Sequence, residues 1–505
     1  MNEPMIPLLN LGGDSSAEVC GPDGCVVPPN HPAMAAASPA VPESPVDKHY
    51  DLIIVGSGSG NSIPGPEFDD RSIAIVEKGA FGGTCLNVGC IPTKMYVYAA
   101  DVALETTEAT RLGLDAQVNS VDWPGIVSRV FEQRIDPIAA GGEAYRRGDE
   151  TPNIDVYDQH ATFVGERTLR TGQGGEVRTI SGDQIVIAAG SRPLIPEVIA
   201  TSGVRFYTNE DIMRLPTQPK SIVIVGGGFI ALEFAHVFDA LGTEVTIVAR
   251  SALLRSLDSD LGQRFNELAA ERFDLRAGRT VEGVDSVEGG ISVRLDDGTT
   301  AAGEVLLVAT GRLPNGDQLD LQAGGVDEVD GRVSVDEFGR STSAAGVWAL
   351  GDVSSPYMLK HVANAEMRAV RHNLLHPDAM QQMPHDFVPS AVFTHPQIAT
   401  VGMTEEEARE AGHNVTVKVQ AYGDVAYGWA MEDTTGIAKL IADRETGKLL
   451  GAHFMGPQAS TLIQQLITVM AFGLDVREVA TKQYWIHPAL PEVIENALLG
   501  LDFAS

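Results

Sequence analysis

Two short apolar runs, each ending in a cluster of glycines, constrain this 505-residue chain more than any other feature. Leu52-Ile53-Ile54-Val55 runs into Gly56-Ser57-Gly58-Ser59-Gly60. About 170 residues later, Ile222-Val223-Ile224-Val225 runs into Gly226-Gly227-Gly228. A second apolar run follows each, Ile73-Ala74-Ile75-Val76 and Val245-Thr246-Ile247-Val248. Continuous apolar strands of this kind suit a parallel sheet covered on both faces. Glycines at the strand end let the backbone turn tightly and approach a pyrophosphate at a helix N-terminus. The expected fold is therefore α/β, with two Rossmann-like dinucleotide-binding domains in one chain.

The two glycine clusters differ in ways that point to different nucleotides. In the first, Gly56 and Gly58 occupy the first two positions of G-x-G-x-x-G, and Asn61 replaces the third glycine. Glu77 ends the following strand, where an acid can hold a ribose 2′-hydroxyl. Pro64 and Pro66 fall where the first helix should run, so that helix is expected to be short or distorted. In the second cluster Gly226, Gly228 and Ala231 fit G-x-G-x-x-A, and a helix is expected over about 230–241. Its second strand ends in Arg250, with Arg255 five residues on. Arginine there can accept a 2′-phosphate, which favours NADPH over NADH; the plainer alternative is a pair of solvated arginines.

Two further segments resemble each other and bracket the second unit: Val186-Ile187-Ala188-Ala189-Gly190-Ser191-Arg192-Pro193 and Leu307-Val308-Ala309-Thr310-Gly311-Arg312-Leu313-Pro314. They suggest an inserted domain, with the chain leaving near 191 and returning near 312. Residues 1–48 are rich in Pro, Ala and Ser without helix or strand period, so a disordered tail is expected, with order beginning at Tyr50. Beyond about 383 the strands alternate with turns. Thr404 and Glu407 make a capping box there. Leu462, Ile463, Leu466, Ile467 and Met470 recur at helical spacing. The expected organisation is thus a tail (1–48), a first-nucleotide domain in two parts (49–190 and 312–382), an inserted second-nucleotide domain (191–311) and a C-terminal α+β domain (383–505).

The net charge of −32, from 68 acidic and 36 basic residues, argues against a nucleic-acid partner, which needs a basic footprint. No apolar run reaches the ~18 residues of a membrane span, and no basic-then-apolar leader opens the chain, so a cytoplasmic location is expected. The four cysteines form two pairs of equal spacing, Cys20/Cys25 and Cys85/Cys90. Four in a chain this long are no secreted disulfide framework.

Cys85-Leu86-Asn87-Val88-Gly89-Cys90 carries the chemistry. Residues five apart in a regular helix have Cα atoms roughly 8.7 Å apart, whereas a disulfide wants about 4.4–6.8 Å. The pair is therefore expected on a non-helical turn that Gly89 permits, with a helix over about 93–107 starting at Pro92. Cys90 would then stand near the positive end of the helix dipole, which favours thiolate. A redox pair, a structural disulfide and half of a zinc site all have this spacing. The zinc reading lacks two further ligands outside the tail, and no metal is expected. Near the other end, His487 and Glu492 in Trp485-Ile486-His487-Pro488-Ala489-Leu490-Pro491-Glu492 are spaced for a carboxylate to orient an imidazole. The tail pair Cys20/Cys25 is a relay, a metal grip or an incidental pair.

The string Gly82-Gly83-Thr84-Cys85-Leu86-Asn87-Val88-Gly89-Cys90-Ile91-Pro92-Thr93-Lys94 resembles the active site of the FAD-dependent pyridine nucleotide-disulfide oxidoreductases. The resemblance extends over about 49–501 and includes both glycine clusters, Leu350-Gly351-Asp352 and His487 with Glu492. It implies FAD and NADPH as cofactors and a low-molecular-weight thiol disulfide as substrate. It implies that Cys90 lies against the flavin and that Cys85 is the interchange thiol. It also implies that Lys94 approaches the flavin and pairs with Glu233. Asp352 would bind the ribityl chain, Ala161 would contact the adenine through its backbone, and Thr84 and Gly311 would lie against the cofactors. His487 and Glu492 would come from the second subunit of a homodimer. Within the family, Gly58-Ser59-Gly60-Asn61-Ser62 and the stretch Tyr422-Gly423-Asp424-Val425-Ala426-Tyr427-Gly428-Trp429 are most similar to the mycothione-reducing branch. Arg250 departs from the acid usual in lipoamide dehydrogenases, which with the glutathione-type reductases form the alternative reading.

Overall fold

The first apolar run becomes β1 (Lys48–Val55), buried from Leu52 to Val55, between two parallel neighbours that cover both its edges. These are β2 (Ile73–Val76) and the long strand Glu176–Ile187. The structure is a computed structural model that describes residues 45–503; Cys20 and Cys25 lie outside the described residues. β1 starts at Lys48, two residues ahead of the expected Tyr50, because the backbone pairing with Glu176–Ile187 reaches back to that residue. The sheet has seven strands. Ile154–Tyr157 and Val347–Ala349 extend its parallel part, and Thr162–Gly165 and Thr168–Gln173 form an antiparallel flank. In place of a first helix there are two 3-10 turns, Gly60–Ser62 and Pro66–Phe68, the second opened by Pro66. Proline lacks the N–H that an α-helix interior needs.

The second run builds a four-stranded, wholly parallel sheet in the order Asp274–Ala277, Glu244–Ala249, Ser221–Val225, Val305–Val308. The helix Phe229–Ala240 follows its glycines, one residue earlier at each end than expected. Ser191–Pro193 and Arg312–Pro314, taken from the two look-alike segments, pair antiparallel with each other. The chain thus enters and leaves this sheet through one two-stranded neck.

The last sheet is antiparallel and five-stranded: Ser390–Val392, Ile398–Gly402, Leu449–Met455, Ile437–Asp443, Val415–Ala421. Helix Ala459–Ala471 buries Leu462, Ile463, Leu466 and Met470 in the core shared with it, while Ile467 packs at the margin. Thr404 and Glu407 make the reciprocal capping box that opens Glu405–Glu410.

One helix joins the first two units. α2 (Cys90–Glu108) buries Tyr96, Val97, Ala100 and Ala103 in the same core as Phe234 and Phe238 of the helix Phe229–Ala240. Each large apolar side chain buried this way contributes about 1.5–3 kcal/mol. Trp123 stacks on Phe238 with centroids 5.5 Å apart and donates to Leu215 O at 2.9 Å. Tyr96 Oη donates to Met213 O at 2.6 Å. The N-terminus of α2 is therefore held against both nucleotide-type units. Among the described residues no helix is long and apolar enough to cross a membrane.

Candidate active site

The two cysteines do not share one non-helical turn, as their spacing suggested. Cys85 lies in a short helix, α1 (Gly83–Asn87), and Cys90 is the first residue of α2. The break between them is confined to Val88 and Gly89. α2 begins three residues before the expected Thr93. Pro92 falls in the first turn, whose N–H groups have no helical acceptor, so its missing donor costs nothing. Thr93 N–H closes the first α-turn on Gly89 O at 3.1 Å. Space demands the glycine: a Cβ on Gly89 would stand 2.9 Å from Thr84 O and 3.3 Å from Cys85 Cα. Asn87 Nδ2 fastens the turn from inside, donating to Phe81 O and Gly83 O at 3.0 Å. From outside, Asn209 Nδ2 donates to Val88 O at 2.8 Å, and Arg312 holds Asn209 Oδ1 at 3.2 Å.

The pair divides its charge unequally. Both cysteines are free thiols, Cys85 half-buried and Cys90 exposed. The hydrogen bond with Cys85 brings the Cys90 thiol down to about 7, helped by the charge of Lys94 and by Cys90's own backbone N–H, against partial desolvation and Glu233. That hydrogen bond, with desolvation and the charge on Cys90, drives Cys85 well above the ordinary thiol range; the charge of Lys360 opposes the rise. Lys94 Nζ donates to Glu233 Oε2, sits 4.6 Å from the Phe393 ring centroid, and is 31% exposed against 6% for Glu233. Glu233 Oε1 accepts Phe393 N–H at 3.0 Å, so α2, the helix Phe229–Ala240 and the residue after the strand Ser390–Val392 of the last sheet meet beside Cys90.

Two cradles suit dinucleotides. Gly56 has φ +107°, and a Cβ there would meet Ala188 O at 2.3 Å. Gly58 has no such internal reason: its Cβ would clear every atom by 3.9 Å. In the second cluster Gly226 (φ +145°) would meet Ala309 O at 2.2 Å, while a Cβ on Gly228 would have nothing within 4 Å. At Gly228 bare backbone facing open space at the start of a helix fits a phosphate, and the residues present at the two clusters fit FAD and NAD(P). Glu77, at the end of β2, accepts Ser57 N–H at 2.9 Å and Ser57 Oγ–H at 2.7 Å on one oxygen. Its other oxygen accepts Gly79 N–H at 2.9 Å. Thr84 is exposed on α1, and Ala161 is buried just before Thr162–Gly165. Asp352 accepts Ser191 Oγ–H at 2.5 Å, and Arg312 Nε donates to the same hydroxyl at 2.8 Å. Gly311 (φ +130°) turns the chain into the neck, where its carbonyl accepts Leu194 N–H at 2.9 Å. Ala231 is buried in the helix after Gly228. Arg250 and Arg255 are exposed and have no side-chain partner among the described residues. Leu254 N–H donates to Gly227 O at 2.9 Å, which folds their loop back onto the second glycine cluster.

His487 and Glu492 find each other. His487 Nδ1 and Glu492 Oε1 are 2.7 Å apart, and Glu492 Oε2 accepts Ala489 N–H at 3.2 Å. The hydrogen bond with His487 holds the Glu492 carboxyl below the usual range. The imidazole is 71% exposed, beside exposed Tyr484 and Ile486. Among the described residues no hydrogen bond or ion pair joins it to either cysteine of its own chain.

Sequence reasoning missed a second group near the cysteines: Ser59, Lys360, Asn364, Asn209 and Arg312. Lys360 and Asn364 lie on one face of the helix Lys360–Leu375, some 300 residues from the glycine cluster they touch, and no local pattern marks them. Arg312 sits in a look-alike segment and could have been read there.

The profile of the pyridine nucleotide-disulphide oxidoreductases matches residues 50–369, and that of the family's dimerisation domain matches 388–498. The chain belongs to this family. Mycothione reductase of Mycobacterium tuberculosis is 56% identical over 462 residues, 90% of this chain and 99% of the relative. Glutathione reductase of Burkholderia cepacia is 32% identical over 455 residues, 88% and 97% of the two chains. The solved structure of the HOCl-induced flavoprotein disulfide reductase RclA from Escherichia coli superposes with a TM-score of 0.79 at 27% identity, covering 89% of this chain and 100% of that one. Membership makes the protein a disulfide oxidoreductase that works with FAD and a nicotinamide dinucleotide, and it carries the family's dimerisation domain.

Proposed function

We propose that this enzyme is an NADPH-dependent reductase of mycothione, working as a homodimer in a reducing cytoplasm. One observation carries the chemistry: a thiol brought down to about 7 at the first residue of α2, hydrogen-bonded to a second thiol and flanked by the Lys94–Glu233 pair. The 56% identical mycothione reductase supports the substrate. Arg250 and Arg255, exposed and unpaired among the described residues beside the second glycine cluster, support NADPH over NADH. On this reading residues 49–190 and 312–382 hold FAD, 191–311 hold NADPH, and 383–505 dimerise.

FAD, when bound, would supply two-electron transfer between the nicotinamide and the Cys85–Cys90 disulfide. Gly56, Gly58, Glu77, Thr84, Ala161 and Asp352 would hold it; Gly226, Gly228, Ala231, Gly311 and the two arginines would hold NADPH. Once the two cysteines are reduced, the Cys85 thiolate attacks one sulfur of the substrate disulfide. A new S–S bond forms, and the other sulfur leaves as thiolate. The partner subunit's His487 gives that thiolate a proton. The Cys90 thiolate then attacks Cys85, closes the internal disulfide and expels the second thiolate, which takes up another proton. Lys94 keeps Cys90 ionised for this step, and Asn87 with Gly89 keeps the two sulfurs within reach. An imidazole oriented by a carboxylate yet exposed, with Tyr484 and Ile486 bare beside it, suits a site completed by a second copy of the chain.

The decisive test is a substrate panel of mycothione, glutathione disulfide and dihydrolipoamide with both nicotinamide nucleotides. The reading expects turnover of mycothione with NADPH. Faster oxidation of dihydrolipoamide with NAD would overturn it.

A further inference from the structure

Lys360 is a half-buried cation without a carboxylate partner among the described residues. Its ammonium donates to Ser59 Oγ at 2.9 Å, and Ser59 Oγ in turn donates to Asn364 Oδ1 at 3.0 Å, one turn further along Lys360's own helix. Ser59 is buried in the first glycine cluster. The residue before it, Gly58, packs its backbone against Gly83, where a Cβ would stand 2.7 Å from Gly58 Cα. Gly82 N–H donates to Ser57 Oγ at 2.8 Å, a second tie between the same two segments. Gly83 opens α1, two residues before Cys85. The cation is therefore fixed, through Ser59 and the contact of two glycine backbones, beside the helix that carries Cys85. It is also the first residue of a 16-residue helix, whose N-terminal dipole adds positive potential at the same place.

A charge taken partly out of water is stabilised by an opposite charge, and the described residues provide no carboxylate for this one. Among the protein's own groups near this ammonium, the one that becomes an anion during turnover is Cys85. We propose that Lys360 is a positioning residue for the interchange thiol: its ammonium stabilises the Cys85 thiolate in the reduced enzyme, and Ser59 and Asn364 hold the ammonium in place. This rests on the reading of Cys85 and Cys90 as the redox couple.

The charges around the pair fall into two sets. Cys85 faces Lys360 from the helix Lys360–Leu375 and Cys90 from α2. Cys90 faces Lys94 from α2 and Glu233 from the helix Phe229–Ala240, and Arg312 at the neck senses its charge. Lys360 thus acts on the thiol that Lys94 does not serve. With Cys90 absent, Lys360 is the charged side chain that opposes the desolvation of Cys85. Without it Cys85 would stay protonated at neutral pH and attack a disulfide slowly, since only the thiolate is a nucleophile.

The test isolates Cys85 in FAD-loaded Cys90→Ser enzyme, reduced with dithiothreitol, freed of it anaerobically and alkylated with iodoacetamide from pH 5 to 10. Peptide mass spectrometry then gives the pH midpoint of Cys85 modification. Lys360→Met should raise that midpoint by about one pH unit, the low end of what one nearby opposite charge does to an ionisable group. Lys360→Gln can keep the hydrogen bond with Ser59 without the charge and should raise it equally; Lys360→Arg should restore it. Flavin content should stay the same in all three. An unmoved midpoint in either neutral variant that retains FAD would overturn the proposal. So would loss of FAD with the midpoint unmoved in apoprotein resupplied with the nucleotide, because the cation would then serve the cofactor. Failure of NADPH to open a Cys85–Cys90 disulfide in the unmodified enzyme would sink the redox reading instead, and separately.

Discussion

Arg250→Ala combined with Arg255→Ala is expected to convert the enzyme's nucleotide preference without unfolding it. Arg250 directly follows the strand Glu244–Ala249, and Arg255 stands on a loop fixed by backbone bonds from Leu253 to Asn266 Oδ1 (2.8 Å) and from Leu254 to Gly227 O (2.9 Å). Those bonds do not involve the guanidinium groups, which are exposed, so truncation strands no buried partner. A charge-assisted bond to a phosphate is worth about 1.5–3 kcal/mol, and exposure puts these at the low end. Two of them come to about 3 kcal/mol, or roughly 10²-fold in relative affinity. NADH has no 2′-phosphate and should lose almost nothing. The assay is steady-state kcat/KM for NADPH and for NADH with a saturating disulfide, backed by a melting curve. A similar loss with both nucleotides would refute the assignment, and so would no loss with either.

Four other outcomes follow from the geometry. Cys90→Ser should keep FAD yet lose the long-wavelength absorbance of the reduced enzyme, and Cys85→Ser should keep that absorbance; the reverse pattern would exchange their roles. Alkylation of Cys90 in the reduced enzyme should titrate near pH 7, and Lys94→Met, which removes a charge favouring thiolate, should raise the midpoint. A rise of about one unit cuts the thiolate at pH 7 from half to roughly a tenth, so alkylation there should slow about fivefold; an unchanged or lower midpoint contradicts the charge argument. His487→Ala should slow turnover by about 10²–10⁴ while leaving reduction by NADPH near normal in stopped flow. Mixed dimers of Cys90→Ser with His487→Ala subunits should regain activity at one of their two sites, and none returning after demonstrated exchange would exclude a shared site.

What could be read in the chain was what chemistry writes locally. Apolar runs ending in glycine are a local property, and so are a capping box at Thr404 and five apolar residues at helical spacing before Ala471. The site was legible wherever its residues cluster in sequence, as Cys85, Cys90 and Lys94 do. It was illegible where folding joins distant segments. Ser59 and Lys360 are 301 positions apart and meet only because the first sheet brings the glycine cluster under the start of a late helix. The misplaced start of α2 has a different origin: Pro92 was read as a helix opener, though a proline in the first turn is silent about which residue precedes it.

The neck formed by Ser191–Pro193 and Arg312–Pro314 bears on how such enzymes can diversify. Because the two strands run side by side, the stretch between them can be cut out and replaced without threading any other part of the chain. A graft of residues 194–311 from an NADH-preferring relative should therefore carry nucleotide choice with it and leave the thiol chemistry behind. The coupling between the two would then rest on the side chains that reach across, among them Glu233 toward Lys94, Asn209 toward Val88, His236 toward Asp101, Asp258 toward Lys439 and Tyr96 toward Met213. Fuel and product could thus be exchanged as separate modules, provided those contacts are kept.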